Sequence, residues 1–210
     1  MLILVRHGQT PANATGLLLG RSDQPLTELG LRQAAAAASA VGSPTRVLSS
    51  PLVRARATAA AIGLPVEVDE RWIELDYGVF EQVPFGDVPA EVWRRWRLDP
   101  DFEPPGGESL ATLARRVRSA CQGLAEEATD ADVVVVSHVS PIKAAVAWAL
   151  GVGDEVAFRM HLDLAAISRI AMVESGPLLR SFNDCSHLKA ARLRPPSPGS
   201  SPKRREAERR

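Results

Sequence analysis

"LVRHGQT", residues 4–10, decides how this chain is read. An apolar run, "LILV" at 2–5, leads straight into Arg6, His7 and Gly8. Continuous apolar character with β-branched members marks a strand buried on both faces, the kind found in parallel sheets. A strand over 2–6 therefore ends in two side chains that can carry positive charge and a glycine. "DVVVVSH", residues 132–138, repeats the arrangement and delivers His138 to the end of a second buried strand. In open α/β sheets ligands bind beyond the carboxyl ends of the strands. If the two strands are neighbours in one parallel sheet, two histidines and an arginine meet in one crevice.

The rest of the chain alternates between strand and helix. "LTELGLRQAAAAASAV", 26–41, predicts a helix with Thr27 as N-cap, and its alanine run predicts close packing on a neighbour. Residues 46–49 and 66–68 read as short strands. Between them Pro51 suits the first position of a helix running to Ile62 and stopped by Gly63. Residues 109–128 read as a long helix capped by Ser109, and Pro141 opens a helix that ends at Leu150 before Gly151. "AAISRIAMVE", Gly176-Pro177 and "LLRSFND" read as a hairpin. The pattern predicts an α/β fold, three layers in α/β/α order with a mostly parallel central sheet.

Bulk composition narrows the function. The chain has 210 residues, 45% hydrophobic and 24% charged, enough for one domain with a substantial core. That domain is expected over 1–194. The stretch 195–210, "PPSPGSSPKRREAERR", is expected to be a disordered, solvated basic tail. Formal net charge is zero, which gives no bulk attraction to nucleic acid or membrane. "WRRWR" at 93–97 is too short and isolated to argue nucleic-acid binding. No apolar run reaches the length of a signal peptide or a span. Cys121 and Cys185 form no CxxC pair and supply no metal cage, so a reducing cytoplasm fits. The expectation is a cytoplasmic protein handling a small molecule, its oligomeric state open.

"SSPLVRARATA", 49–59, places Arg54 in the first turn of a helix that follows another strand end. Free N–H groups make helix N-termini favourable to anions, and an arginine there adds a bidentate partner for phosphate or carboxylate. The helix dipole disfavours a cation at that position, which itself points to a facing anion. Arg56, two residues on, should point away. Taken singly, each feature has a plain reading: a strand-end histidine is structural, a first-turn arginine is a surface charge. Two arginines, two histidines and a helix N-terminus together make a site for a multiply charged oxyanion.

"LVRHGQTPAN" resembles the Arg-His-Gly signature of the histidine phosphatase superfamily, with its phosphoglycerate mutase-like fold. "GRSDQPLTELGLRQA", "SSPLVRARATA", "IELDYGVFE", "PGGES" and "VVVVSHVSPIKAA" match in the same order, over about residues 1–190. The resemblance implies that His7 attacks phosphorus to give a phosphohistidine, a role a neutral imidazole suits. Arg6, Arg54 and a cationic His138 would surround the equatorial oxygens. Asn13 would add a neutral hydrogen-bond donor, with Gly20 and Val139 also against the substrate. Glu74 would protonate the leaving oxygen and then take a proton from water. Asp76 lies two residues on, and in an extended segment shares that face; whether it shares the role stays open. No metal or other cofactor is implied. Glu108 would buttress a catalytic side chain. Trp72, Trp93 and Trp96 are expected as core or pocket wall, and Arg94, Arg95 and Arg97 as solvated charges. His161 and His187 fall on no catalytic position, and "SFNDCSHL" is expected to be a structural turn.

Mutases of the family carry "ERHYG" where this chain has "ELDYG", so Leu75 and Asp76 remove positive charge. They also carry a longer basic insertion before the "GGES" region, where only about thirty residues separate Glu74 from Gly106 here. The chain thus resembles the phosphatase branch. The expected activity is hydrolysis of a small phosphorylated metabolite, either broad in specificity or α-ribazole-phosphatase-like. A mutase-type phosphotransferase is the alternative, and a catalytically silent phosphate-binding protein a further one. Two departures bear on substrate choice. Val139-Ser140-Pro141 follows His138 where small glycines are frequent, and Gln82 stands where glycine often follows the acidic residue.

Overall fold

The segment "LILV" is buried at every position, odd and even alike. Alternate residues of a strand face opposite sides, so both faces of the sheet must be covered. A computed structural model of the chain describes residues 1–193, and the expected basic tail and the boundary at 194 lie outside the described residues. In chain order the elements begin β1 (Leu2–Arg6), α1 (Pro11–Thr15), α2 (Glu28–Ala40), β2 (Arg46–Ser49), α3 (Val53–Ala60) and β3 (Val66–Val68). They continue α4 (Ala90–Leu98), α5 (Leu110–Ala125), α6 (Glu127–Asp130), β4 (Val133–Ser137) and α7 (Val139–Leu150). The chain then forms β5 (Ile167–Val173), β6 (Gly176–Asp184) and α8 (Ser186–Ala190).

The six strands form one sheet in the order β3-β2-β4-β1-β5-β6. The first four are parallel, and β5 and β6 are the expected hairpin, β5 antiparallel to β1 and β6 antiparallel to β5. α2 packs against α3 and α8, and α5 packs against α7. Helices flank the sheet, so the predicted α/β architecture with a mostly parallel sheet holds. Among the described residues no helix is long and apolar enough to cross a membrane.

Register positions the chemistry. Arg6 pairs with Ser137 and Ser49 with Val136, so β1, β4 and β2 end nearly level. The residues just past those ends are His7, His138 and Ser50. The backbone ladder continues into them: His7 N–H donates to the Ser137 carbonyl at 3.0 Å, and Ser50 N–H to that of Val136 at 3.0 Å. α2 reaches the same loop through a glycine contact. A Cβ on Gly8 would lie 2.4 Å from the Gly30 carbonyl oxygen, so neither glycine tolerates a side chain without moving backbone.

Two helix starts differ from the expectation. α3 begins at Val53, two residues after Pro51, because Asp23 accepts the Val53 N–H at 2.8 Å and caps the helix from a distant loop. α7 begins at Val139, two residues before Pro141, because Glu74 caps it. Proline in a first turn removes an N–H that has no intrahelical partner, so Pro141 fits either way. Thr27 and Ser109 cap α2 and α5 as predicted. A second, smaller core of Leu18, Val88, Trp96 and Phe102 holds α4 beside the carboxyl ends of the strands.

Candidate active site

His7 is almost fully buried, and its Nδ1 lies 2.7 Å from its neighbour Gly8's carbonyl oxygen. A carbonyl only accepts, so Nδ1 carries the proton and Nε2 holds the lone pair. Gly8 N–H donates to Thr58 Oγ1, which donates to the Arg54 carbonyl, so the loop is bolted to α3. The His138 ring stands 5.0 Å from that of His7, tilted by 58°. Its Nε2 contacts Ser50 Oγ at 2.7 Å.

Arg6 and Arg54 are held by backbone carbonyls. Arg6 Nη1 donates to Leu162 at 2.6 Å. Arg54, fully buried, donates to Ser22 at 2.9 Å and to Gly20 at 2.5 Å. The Nε atoms of both arginines and Nδ1 of His138 are buried without a partner. Buried polar groups are seldom left unpaired, and three donors in one cationic cluster suit an oxyanion. Burial pushes both histidine pKa values well down, and the neighbouring Arg54 and Arg6 push them further. Without an anion both rings are therefore neutral. The cationic state expected for His138 needs a phosphate dianion beside it to hold the proton. Burial lowers Arg6 to about 10, still charged at neutral pH.

Glu74 is buried with its carboxylate against the first turn of α7. It accepts N–H bonds from Val139 at 3.1 Å, Ser140 at 3.2 Å and its own neighbour Leu75 at 2.8 Å. Arg116 donates to the Glu74 carbonyl at 3.3 Å and is itself gripped by Glu108 through two bonds of 2.9 Å. Glu108 thus has the buttressing place expected of it. Asp76 does not share the face of Glu74. The segment is not a strand; Asp76 turns back to accept the Gly78 N–H at 2.9 Å and pairs with Arg21 at 3.5 Å.

These residues border a cavity of about 840 Å³, lined by Arg6, His7, Asn13, Glu74 and Val139 among others. Arg54 and His138 are fully buried beside His7 and coupled to it through charge. The carbonyl of Asn13 is engaged by Thr10, which leaves its NH2 group free to donate. Gly20 is off the cavity, its N–H given to Glu81 at 2.7 Å and its carbonyl to Arg54. The Val139 N–H is spent on Glu74. Trp72 is core, Trp93 and Trp96 line the cavity, and Arg56 is exposed. His161, on the rim, pairs with Asp163, and Asn183 braces Asp163 by hydrogen bonds of 2.8 and 3.3 Å; "SFNDCSHL" is not the expected turn but the end of β6 running into α8. Among the described residues no group of three His, Cys, Asp or Glu side chains could hold a metal.

Sequence reasoning missed four contributors. Lys143 lines the cavity, its pKa lowered by burial and by Arg6. Its signal was helical spacing, since it follows Val139 and Ser140 by four and three residues on α7. Tyr77 also lines the cavity, its phenol bonded to Ser140 and its pKa raised by burial. Ser50 and Glu81 act on His138 and on the 20–22 loop through contacts that no local pattern announces.

The sequence pattern of the histidine phosphatase superfamily, branch 1, matches residues 2–185. The chain belongs to that superfamily. A bifunctional protein of Mycobacterium tuberculosis is 41% identical over 177 residues, 80% of this chain and 49% of that protein. The chain thus spans about half the length of such mycobacterial relatives. A probable phosphoglycerate mutase of Yersinia enterocolitica is 34% identical over 202 residues, 89% of this chain and 94% of that one. Among solved structures, a mutant phosphoserine phosphatase from Entamoeba histolytica, in complex with phosphoserine, superposes with TM-score 0.81 at 28% identity, covering 89% and 98% of the two chains. A putative α-ribazole-5'-phosphate phosphatase from Escherichia coli superposes with TM-score 0.77 at 29% identity, covering 87% and 95%. The phosphoglycerate mutase-like fold expected from the motifs is the fold these histidine phosphatase structures share with the chain.

Proposed function

We propose that the protein is a phosphomonoester hydrolase working through a phosphohistidine at His7. One observation carries the proposal. The Nδ1 proton of His7 is committed to a backbone carbonyl, so a lone pair on Nε2 stands among Arg6, Arg54 and His138. In the first step Nε2 bonds to phosphorus as the ester P–O bond breaks, and Glu74 gives the alcohol oxygen its proton. In the second, water attacks phosphorus, its proton passes to Glu74, and the N–P bond breaks to free phosphate and neutral His7. The cations stabilise charge on the equatorial oxygens, and no step requires a metal. Asn13 and Lys143 add donors on the cavity side. Gly20 holds Arg54 in place rather than touching substrate. The phosphatase neighbours support hydrolysis over mutase chemistry; the mutase reading draws on the name of the Yersinia relative.

The test is covalent trapping. Brief exposure to a labelled phosphomonoester should leave acid-labile, base-stable label on His7, and the His7→Ala variant should take none and lose about 10⁴-fold or more in turnover. Water alone should chase the label into inorganic phosphate. Full activity in His7→Ala would sink the mechanism. Label that leaves for 3-phosphoglycerate and not for water would establish the mutase.

A further inference from the structure

The cavity has two unlike halves. Its floor is the charged cradle of Arg6, His7, Glu74 and Lys143. Its wall is aromatic and comes from α4 and the loop before it. Phe85 and Trp93 stack with centroids 6.1 Å apart and planes 13° from parallel, and Phe85 is 52% exposed. Trp93 rests on Trp96 at 5.3 Å. Trp96 is braced in turn by edge contacts from Tyr77, Phe80 and Phe102 at 5.8–5.9 Å. Leu17, Leu18 and Phe158 extend the apolar lining. An exposed aromatic face that is braced from behind and continuous with a reactive floor marks a ligand surface.

Resting on the phosphatase reading, we infer that the substrate is a phosphomonoester whose alcohol part carries an aromatic body, or an apolar one of similar bulk. The phosphate sits on the floor and the organic body lies on the Phe85–Trp93 wall. Size and polarity both argue this. A serine or glycerate unit fills a small part of about 840 Å³ and would set its polar groups against indole and phenyl faces. An aromatic body removes those faces from water and adds ring–ring contact beyond what area burial alone supplies.

Binding of non-hydrolysable phosphonates to the whole chain tests the inference independently of turnover. 2-Naphthylmethylphosphonate should bind at least about 10-fold tighter than methylphosphonate or the phosphonate analogue of phosphoserine, read by titration calorimetry. Phe85→Ala should narrow that ratio by about 3- to 10-fold. Phe85 is exposed, so its truncation spares the core. Equal affinities, or tighter binding of the phosphoserine analogue, overturn the inference. Hydrolysis of 2-naphthylmethyl phosphate is followed in parallel. Tight aromatic binding without hydrolysis sinks the phosphatase reading and leaves the wall standing as a surface for aromatic ligands; hydrolysis without aromatic preference does the reverse.

Discussion

The floor and the wall of the cavity are built by opposite means. The floor hangs from the ends of β1, β2 and β4, where ladder bonds run directly into His7 and Ser50. Backbone and side-chain partners fix Glu74, Nδ1 of His7 and Nε2 of His138, while fully buried nitrogens of Arg6, Arg54 and His138 are left without a partner. The wall hangs from α4 and a second core of four buried side chains, and it meets solvent through Phe85. A rigid floor suits chemistry that tolerates little displacement of the reacting atoms. A wall of ring faces with few directional bonds suits recognition that varies within the family. The comparison teaches that reaction and specificity are separable here, and mutations should divide the same way.

Outside the reacting groups themselves, the largest expected effect comes from Glu81, which touches neither half directly. Its carboxylate accepts the N–H groups of Gly20, Arg21 and Ser22 at 2.7, 3.1 and 3.4 Å, and the carbonyls of Gly20 and Ser22 hold Arg54. Glu81 is therefore a positioning residue for the floor. Glu81→Ala should lower kcat/KM by about 10- to 100-fold, the cost of a displaced Arg54. Inhibition by inorganic phosphate should weaken in parallel, while the ratio of aromatic to small phosphonate affinity stays put. Loss of that ratio with phosphate inhibition intact would place Glu81 in the wall and break the comparison.

Protonation separates the halves at intermediate scale. Burial and the arginines hold the folded-state pKa values of His7 and His138 below the unfolded value. Below about pH 6.5 the unfolded chain binds more protons, so stability falls as pH falls through that region and is fully present above it. Each histidine contributes a slope of up to ~1.4 kcal/mol per pH unit. His187 acts in the same direction to a lesser degree, its ring being half-buried. Urea unfolding at pH 7.5 and 5.5 should show a drop in stability that shrinks in His138→Gln, and saturating phosphate should also flatten it. An equal drop in wild type and variant would show that His138 is not a source.

How much of this was legible in the sequence follows the same division. The strands, their carboxyl-end histidines and Arg54 were readable because apolar runs and cap residues are local signals. Glu74 was readable through the family motif alone. Its partnership with α7 was not, because a carboxylate capping a helix 65 residues away leaves no mark near Pro141. Asp76 misled because alternation was applied to a segment that is not extended. The aromatic wall was legible as residue types and not as a surface. Trp93 and Phe85 meet only once the second core folds, and a tryptophan near an arginine run reads equally well as core or rim.

The smallest expected effect concerns Gln82, which follows Glu81 and borders both halves. It adopts φ +61°, the left-handed region, where a Cβ costs about 1 kcal/mol or more. The conformation is enforced by its N–H bond to the Leu18 carbonyl at 2.8 Å, which ties the loop before α4 to the segment entering the cavity. The exposed side chain adds a 3.1 Å bond to Ser22 Oγ. Gln82→Gly and Gln82→Ala both lose that bond, but only glycine relieves the backbone. Gln82→Gly should therefore exceed Gln82→Ala in unfolding free energy by ~0.5–1 kcal/mol after the greater freedom of unfolded glycine is deducted. Two variants of equal stability would show that the loop relaxes out of φ +61° at no cost. The Leu18 bond would then not be what holds wall to floor.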